Sequence, residues 1–528
     1  MLNFPLLYVT ILQISRFRDG REKFMSKKQK TVKEKSTLLK KVDGFFEISK
    51  RGSNFKTEII AGLTTFFAMA YIVVTNPNQV VSFNHFPGGD FPGHEAEFQI
   101  IWYAVYVASL LAAVIGTLLY AFYAKMPFAQ ACGMGLNSFF FVSFILPELL
   151  KTDGTTDVMK GYREGLAVIL LSGLLFMVLS LTGLRSYIAK ALPDNLKKAI
   201  PAGIGLFIAL LGFKSAGVIQ SNKYTLVQLF DFHGAFVNAE SGLEGWRAIV
   251  PVLIAILGLI IMGVLTKFKV KGAVIITILG STVLYYLATW QLPNFDMTSI
   301  GSSFKYFATE GLFGAFDGFK TLFTTGGVFT FGTLFSVVAL TITFCLVDMF
   351  DTMGTLYGAA SQANMLDENG DPVNLKQSMN ADSIATLAGS LLGTSTCTTF
   401  VESSAGVGAG GRTGFASLIT SACFFICLFL TPVATVIPAC ATAPALIYIG
   451  VLMLKGFAKV DMEDITSAIP AFLTLIMMPL TYSISNGIAI GAISYVLIKI
   501  FTGKYCKKDI TVTVIAVLFA LRFAFISM

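Results

Sequence analysis

Charge is scarce in this chain, and that scarcity is the first constraint on what the molecule can be. Only 13% of its 528 residues are Asp, Glu, Lys or Arg, against roughly 25% in a soluble globular protein. Histidine is rarer still: the three residues, His85, His94 and His233, fall in expected loops, so no imidazole relay or His-based metal site is expected within the apolar segments. The seven cysteines (132, 345, 397, 423, 427, 440 and 506) lack metal-ligand spacing with histidine and mostly lie in or beside apolar runs. There free Cys behaves as a small packing residue, and a disulfide framework is not expected. No P-loop lysine occurs, which argues against ATP-driven work by this chain alone. Gly406, Gly408 and Gly411 satisfy G-x-G-x-x-G, but no strand of a dinucleotide fold precedes them and no acidic residue follows until Asp461. Close helix packing explains these glycines better. The run from Asp367 to Pro372 lacks the twelfth-position glutamate of a calcium loop and reads as a solvated turn. Neither metal nor cofactor nor nucleic acid is expected.

What is present is apolar. Hydrophobic residues make up 55% of the chain, mean hydropathy is +0.72, and windows of about 17–25 apolar residues recur, each matching a bilayer's hydrocarbon core. Barrel strands would alternate, so the fold class is an all-α polytopic membrane protein. The spacing predicts spans over 58–80, 103–124, 133–149, 164–185, 199–219, 248–266, 271–290, 331–361, 379–393, 402–409, 414–437, 440–457, 465–482 and 485–502. The count is even, which puts both ends of the chain on one side. Basic clusters agree: Lys27 to Arg51 before the first span, Arg185/Lys190/Lys197/Lys198, Lys267/Lys269/Lys271 and Lys504/Lys507/Lys508. By the positive-inside rule these are cytoplasmic, so the expected location is the cell membrane with a cytoplasmic N-terminus. Residues 1–24 are apolar and then basic without a cleavage site, and Met25 looks the more natural start. Residues 304–323 read as an amphipathic surface helix. The stretch 510–526 carries Arg522 and reads as an interfacial or covering segment.

Against this background a few polar residues stand out. Asp348 and Asp351 interrupt the apolar run 336–361, and Glu402 sits in a second such setting. A charge at membrane depth costs roughly 2.5–3.5 kcal/mol, so these groups are expected to face a cavity, a partner or a substrate. Asp348 and Asp351, three residues apart, are expected on one helix face. Ionising both that close in low dielectric is disfavoured, which suits a group that takes up and releases a proton. Asp382 reads as a helix cap.

A weak repeat is visible between 201–215 and 444–458, each starting at proline with lysine near its end. If these segments correspond, the halves are offset by seven spans and are inverted. The third and tenth spans then correspond. Both are short: Lys125 to Phe144, through Gly133, Gly135 and Asn137, and Gly393 to Arg412, opening on Thr and Cys residues. Each looks like an extended stretch feeding a half-helix, the best sequence pointer to a transporter's binding site.

The runs 51–78, 133–141, 201–217, 350–358 and 401–414 together resemble the nucleobase–cation symporter-2 family, closest to its AzgA-like adenine/guanine/hypoxanthine permease branch. The resemblance covers about 45–503. It implies fourteen spans as two inverted seven-span repeats forming a core and a gate domain, with substrate between the broken third and tenth spans. The implied division is a basic arm 1–57, core 58–185, gate 186–330, core 331–437, gate 438–503 and a tail 504–528. It implies substrate roles for Asn137, Asp348 and Glu402 and a supporting role for Asp351. Cys132 departs from the proline usual before Gly-Met-Gly in relatives.

A purine needs hydrogen-bonding groups in its plane and flat apolar faces above and below. Glu402 accepts and Asn137 both donates and accepts, Phe400 is available for stacking, and Met134, Gly135 and Ser403 adjoin them. With no histidine within a span, the coupled ion, expected to be a proton, would ride on Asp348, Asp351 or Glu402. The expected function is import of purine bases by a proton symporter, with a homodimer plausible from the resemblance. An anion carrier on the same architecture would want a positive centre instead, and an intramembrane aspartyl protease would need its two Asp on facing helices. No catalytic role is expected.

Overall fold

The computed structural model describes residues 39–82, 91–151, 156–182, 193–222, 225–239, 241–270, 272–325, 328–329, 331–363, 365–367, 372–400 and 402–525. The arm as far as residue 38, with the suspected alternative start, lies outside them, as do Arg185, Lys190, Lys271 and most of the 367–372 turn.

Long apolar runs become helices because, in lipid, each backbone N–H must find a partner within its own segment. Among the described residues six helices are long and apolar enough to cross a bilayer, and seven shorter apolar ones accompany them. Each of the fourteen expected segments carries helix: the third is Met134–Leu149, the fifth Asp194–Ser215, the eighth Phe331–Ala363 and the twelfth Ala439–Leu454.

Two expected spans are interrupted. The first divides into Phe55–Met69 and Ile72–Val80, with a tighter turn between them in which the Val74 N–H reaches the Tyr71 carbonyl at 3.2 Å. The eleventh stops at Cys427 and restarts as one turn, Thr431–Ala434. Pro432 accounts for the restart, because proline disfavours helical geometry before it and suits a first helical turn. The amphipathic segment is two helices, Ser299–Tyr306 and Gly314–Leu322. Ser299–Tyr306 lies against Glu95–Leu119 and Gly314–Leu322 against Val158–Thr182, and between them Glu310 meets the Arg163 guanidinium at 2.6 Å. The tail forms the helix Ile510–Phe525, packed against Phe331–Ala363 and Ile484–Phe501.

At the centre of the bundle two strands of three residues meet. Gln130–Cys132 pairs antiparallel with Cys397–Thr399 in the register Gln130 to Thr399, Ala131 to Thr398 and Cys132 to Cys397. Backbone bonds from Gly133 to Thr396 (2.9 Å) and from Phe400 to Ala129 (3.1 Å) extend the pairing at both ends. Each strand runs on into a short helix, Met134–Phe140 or Ser403–Gly408. Extended stretches feeding half-helices, expected from glycine and β-prone residues, are therefore present at both places. Their antiparallel crossing is what two inverted halves require.

A second crossing has the same character. Asp194–Ser215 packs along Ala439–Leu454 with its backbone so close at Gly205 and Gly450 that no side chain fits. A Cβ on Gly450 would lie 2.5 Å from the Gly205 carbonyl oxygen, and one on Gly205 would lie 2.7 Å from Met453 Cβ. Small residues let helices approach in lipid, where packing rather than hydrophobicity drives association. Gly450→Val should thus lower the unfolding temperature of the detergent-purified protein, by an overpacking cost of about 1–3 kcal/mol. Gly263→Val, at a position with nothing within 4 Å, should leave it unchanged.

Candidate functional site

The strand pair is held by the helices on either side. Asp382 accepts from Gln130 Nε2 at 2.9 Å and from Thr352 Oγ1 at 2.6 Å, and the Thr352 hydroxyl in turn meets Thr398 Oγ1 at 2.8 Å. One helical turn on, the Thr386 hydroxyl accepts from the Cys397 N–H at 3.1 Å and lies 3.0 Å from Asp348 Oδ2. Tyr120 adds a bond to Thr399 at 2.6 Å. Asp348, Thr352, Asp382 and Thr386 are all fully buried. Two carboxylate–threonine pairs, each spaced four residues along a helix, thus clamp the crossing. Asp382 is not the cap the sequence suggested: its helix begins at Leu375, after Asn374 at φ 58°, and Asp382 lies two turns inside it.

A cavity of about 1160 Å³ opens beside this crossing. Met134, Gly135, Asp351, Phe400 and Glu402 line it, and so does Tyr71. Tyr71 stands at the interruption of the first span and donates its hydroxyl to Glu402 Oε1 at 2.7 Å. The other oxygen, Glu402 Oε2, has no hydrogen-bond partner among the described residues. A buried carboxylate oxygen left that way is costly, so a donor entering the cavity would find it ready. Gly135 brings the half-helix start against the facing helix, since a Cβ there would lie 2.8 Å from Ile204 Cγ2.

Three expected residues do not line the cavity. Asn137 is buried behind it, donating to Asn76 Oδ1 and accepting from Ser395 Oγ. Ser403 accepts from the Ala129 N–H at 3.0 Å. Asp348 turns toward Thr386, while Asp351 is half-buried at the cavity wall. Residues three apart differ by about 60° around a helix, and here that is enough to send one carboxylate into the clamp and the other into the cavity.

Two residues were not expected at all. Nothing in the sequence marks the interruption at Tyr71, since no glycine or proline stands there. Glu58 is fully buried and accepts from the N–H groups of Arg412, Thr413 and Ala416 at 2.9–3.3 Å. It supplies from another helix the acceptor that the first turn of Gly414–Cys427 needs. A carboxylate at the head of an apolar run is the one sequence signal that points to it, and that signal does not name the partner.

Comparison with known proteins agrees with this architecture. The model of the Permease family, Xan_ur_permease, matches residues 56–490. The chain is 34% identical to the adenine permease AdeP of Escherichia coli, covering 91% of this chain and 95% of that one. It is 36% identical to the guanine/hypoxanthine permease PbuG of Bacillus subtilis, covering 91% and 99%. Among solved structures, the transmembrane domain of a cyanobacterial bicarbonate transporter, BicA, superposes with a TM-score of 0.52 at 16% identity, covering 82% of this chain and 97% of that one. That likeness is one of fold.

The clamp and the cavity wall should respond differently to mutation. Asp382→Ala leaves Gln130 Nε2 and the Thr352 hydroxyl without their acceptor in a dry interior, at about 1–3 kcal/mol for each group. Its unfolding temperature should fall well below that of the parent protein, whereas Asp351→Asn at the cavity wall should unfold with the parent.

Proposed function

This chain belongs to the Permease family of nucleobase–cation symporter-2 transporters, and we propose that it imports purine bases by alternating access, coupled to protons. The observation that carries this reading is the half-engaged carboxylate of Glu402 in a cavity where two broken helices meet. A purine presents ring N–H groups along one edge. Glu402 Oε2 accepts from that edge in the plane of the ring, and Tyr71 fixes the carboxylate's orientation by holding Oε1. Phe400 supplies an apolar face. The bond from Tyr71 costs a substrate nothing in reorganisation, because it is already made.

Protons fit the same residues. Asp351 and Glu402 are the acidic residues lining the cavity, and either can carry a proton inward with a neutral base. Asp348 supports the site from the clamp as a positioning residue. An anion carrier is the poorer reading here, because the floor carries carboxylates and, among the described residues, no basic one.

The cavity opens at the end of the bundle that bears Lys197, Lys198, Lys269 and Lys455. By the positive-inside rule that end is cytoplasmic, so the conformation is inward-facing and the N-terminal arm is cytoplasmic too. In the transport cycle the elements of 186–330 and 438–503 act as the gate, and the strand crossing and its clamp move as the core.

Reconstituted vesicles test the reading with labelled adenine, guanine, hypoxanthine and uracil, under an imposed pH or sodium gradient in turn. The expected result is accumulation of at least one purine, not uracil, driven by the proton gradient. No purine accumulation under either gradient would overturn the proposal. Tyr71→Phe removes a bond to a charged group that the free protein already makes, worth about 1.5–3 kcal/mol, so it should lower the unfolding temperature and, by releasing the orientation of the Glu402 carboxylate, raise the KM for the purine.

A further inference from the structure

The cavity is larger than its proposed cargo requires. Roughly 300–1000 Å³ suffices for a drug-sized ligand, a bare purine is smaller than that, and the space here is about 1160 Å³. Its charge is also segregated. The acidic lining, Asp351 and Glu402, comes from the elements around the strand crossing, and the basic lining, Lys197, Lys198, Lys269 and Lys455, comes from the facing elements.

The lysines converge from three places. Lys197 and Lys198 stand in the first turns of Asp194–Ser215, Lys455 caps Ala439–Leu454, and Lys269 lies between Gly242–Lys267 and Ala273–Thr289. A Cβ on Gly456 would lie 3.6 Å from the Lys198 carbonyl oxygen, so two of these segments touch. Lys269 and Lys455 are exposed, and Lys197 and Lys198 are half-buried. Asp194 pairs with Lys197 at 3.2 Å, but an exposed pair of this kind is worth little. The mouth therefore presents ammonium groups above a floor built for a heterocycle. Lysine is a compact, strongly hydrated charge that suits phosphate oxygens.

We propose that the inward mouth is a phosphate site and that a purine nucleoside monophosphate docks there from the cytoplasm as a competitor that is not carried. The base takes the floor at Phe400 and Glu402, and the phosphate takes the lysine rim. Transport of the nucleotide fails because its phosphate would have to be buried at membrane depth. Cytoplasmic nucleotide then slows release and exchange of the base, a brake exerted by the class of product that phosphoribosylation of an imported base supplies. The floor half of this rests on the purine reading above, and the rim half does not.

The test is displacement of a labelled purine base from the purified protein in nanodiscs. Competitors are the matching nucleoside monophosphate, its nucleoside, ribose 5-phosphate and inorganic phosphate, in zwitterionic and in anionic lipid. The monophosphate should compete at least tenfold better than the nucleoside, less so as salt rises. Lys269→Gln with Lys455→Gln should remove that advantage and leave base affinity unchanged. The advantage should persist in zwitterionic lipid. A monophosphate that competes no better than its nucleoside, or an advantage the double variant retains, would overturn the proposal. So would lysines that respond only to anionic lipid, because the rim then serves headgroups. Should no base bind, the purine reading falls. The rim is then read separately by ribose 5-phosphate raising the unfolding temperature of the parent protein but not of the double variant, and no rise would overturn it.

Discussion

Two three-residue strands, Gln130–Cys132 and Cys397–Thr399, cross antiparallel inside a helical bundle, where backbone groups have no water to turn to. Extended backbone at membrane depth is tolerated only where protein satisfies it or where it lines a cavity. Here both conditions hold. The strands satisfy each other, and carboxylates and threonines from two flanking helices complete the bonding at Gln130, Thr398 and the Cys397 N–H. The arrangement gives two carboxylates so deep in this chain a partner: Asp382 bonds the Gln130 side chain, and Asp348 bonds the Thr386 hydroxyl that takes the Cys397 N–H.

What the crossing produces is a floor. Each strand points a short helix away from the other, and the residues at the two junctions, Met134, Gly135, Phe400 and Glu402, end up side by side although more than 250 positions separate them. The interruption at Tyr71 brings a third element to the same place. Opposite this floor, the backbone contact at Gly205 and Gly450 fuses two helices of the facing elements. One side thus carries Tyr71, Phe400 and Glu402 and the other carries the lysine-rimmed wall, and the cavity is the seam between them. A carrier that alternates access needs such a division, because one body must move past the other without breaking either core.

Much of this was legible in the residues. The β-prone run before Glu402 and the glycines around Met134 marked both broken helices, and Lys197, Lys198 and Lys269 of the basic clusters line one mouth of the cavity. Asp351 and Glu402 were expected at the cavity and line it. The divergence of Asp348 from Asp351 was not legible, because a rotation of about 60° decides between clamp and cavity and a spacing of three leaves that open. Asn137 reads as a recognition group by its place after two glycines, yet Asn76 and Ser395 engage it, and neither partner has a signature in sequence. Tyr71 was invisible for the opposite reason: its helix stops without any of the residues that stop helices. Asp382 was misread because the start of its helix is set by Asn374 in a left-handed conformation, several residues earlier than hydropathy suggests.

The central claim is that Glu402 receives the substrate's ring N–H through an oxygen the protein leaves unengaged. Equilibrium binding of labelled guanine or hypoxanthine to the purified protein and to Glu402→Gln tests it most directly, since the amide keeps the shape and removes the charge. The claim requires at least tenfold weaker binding by the variant with its unfolding temperature preserved. Equal affinity for the two proteins would contradict it.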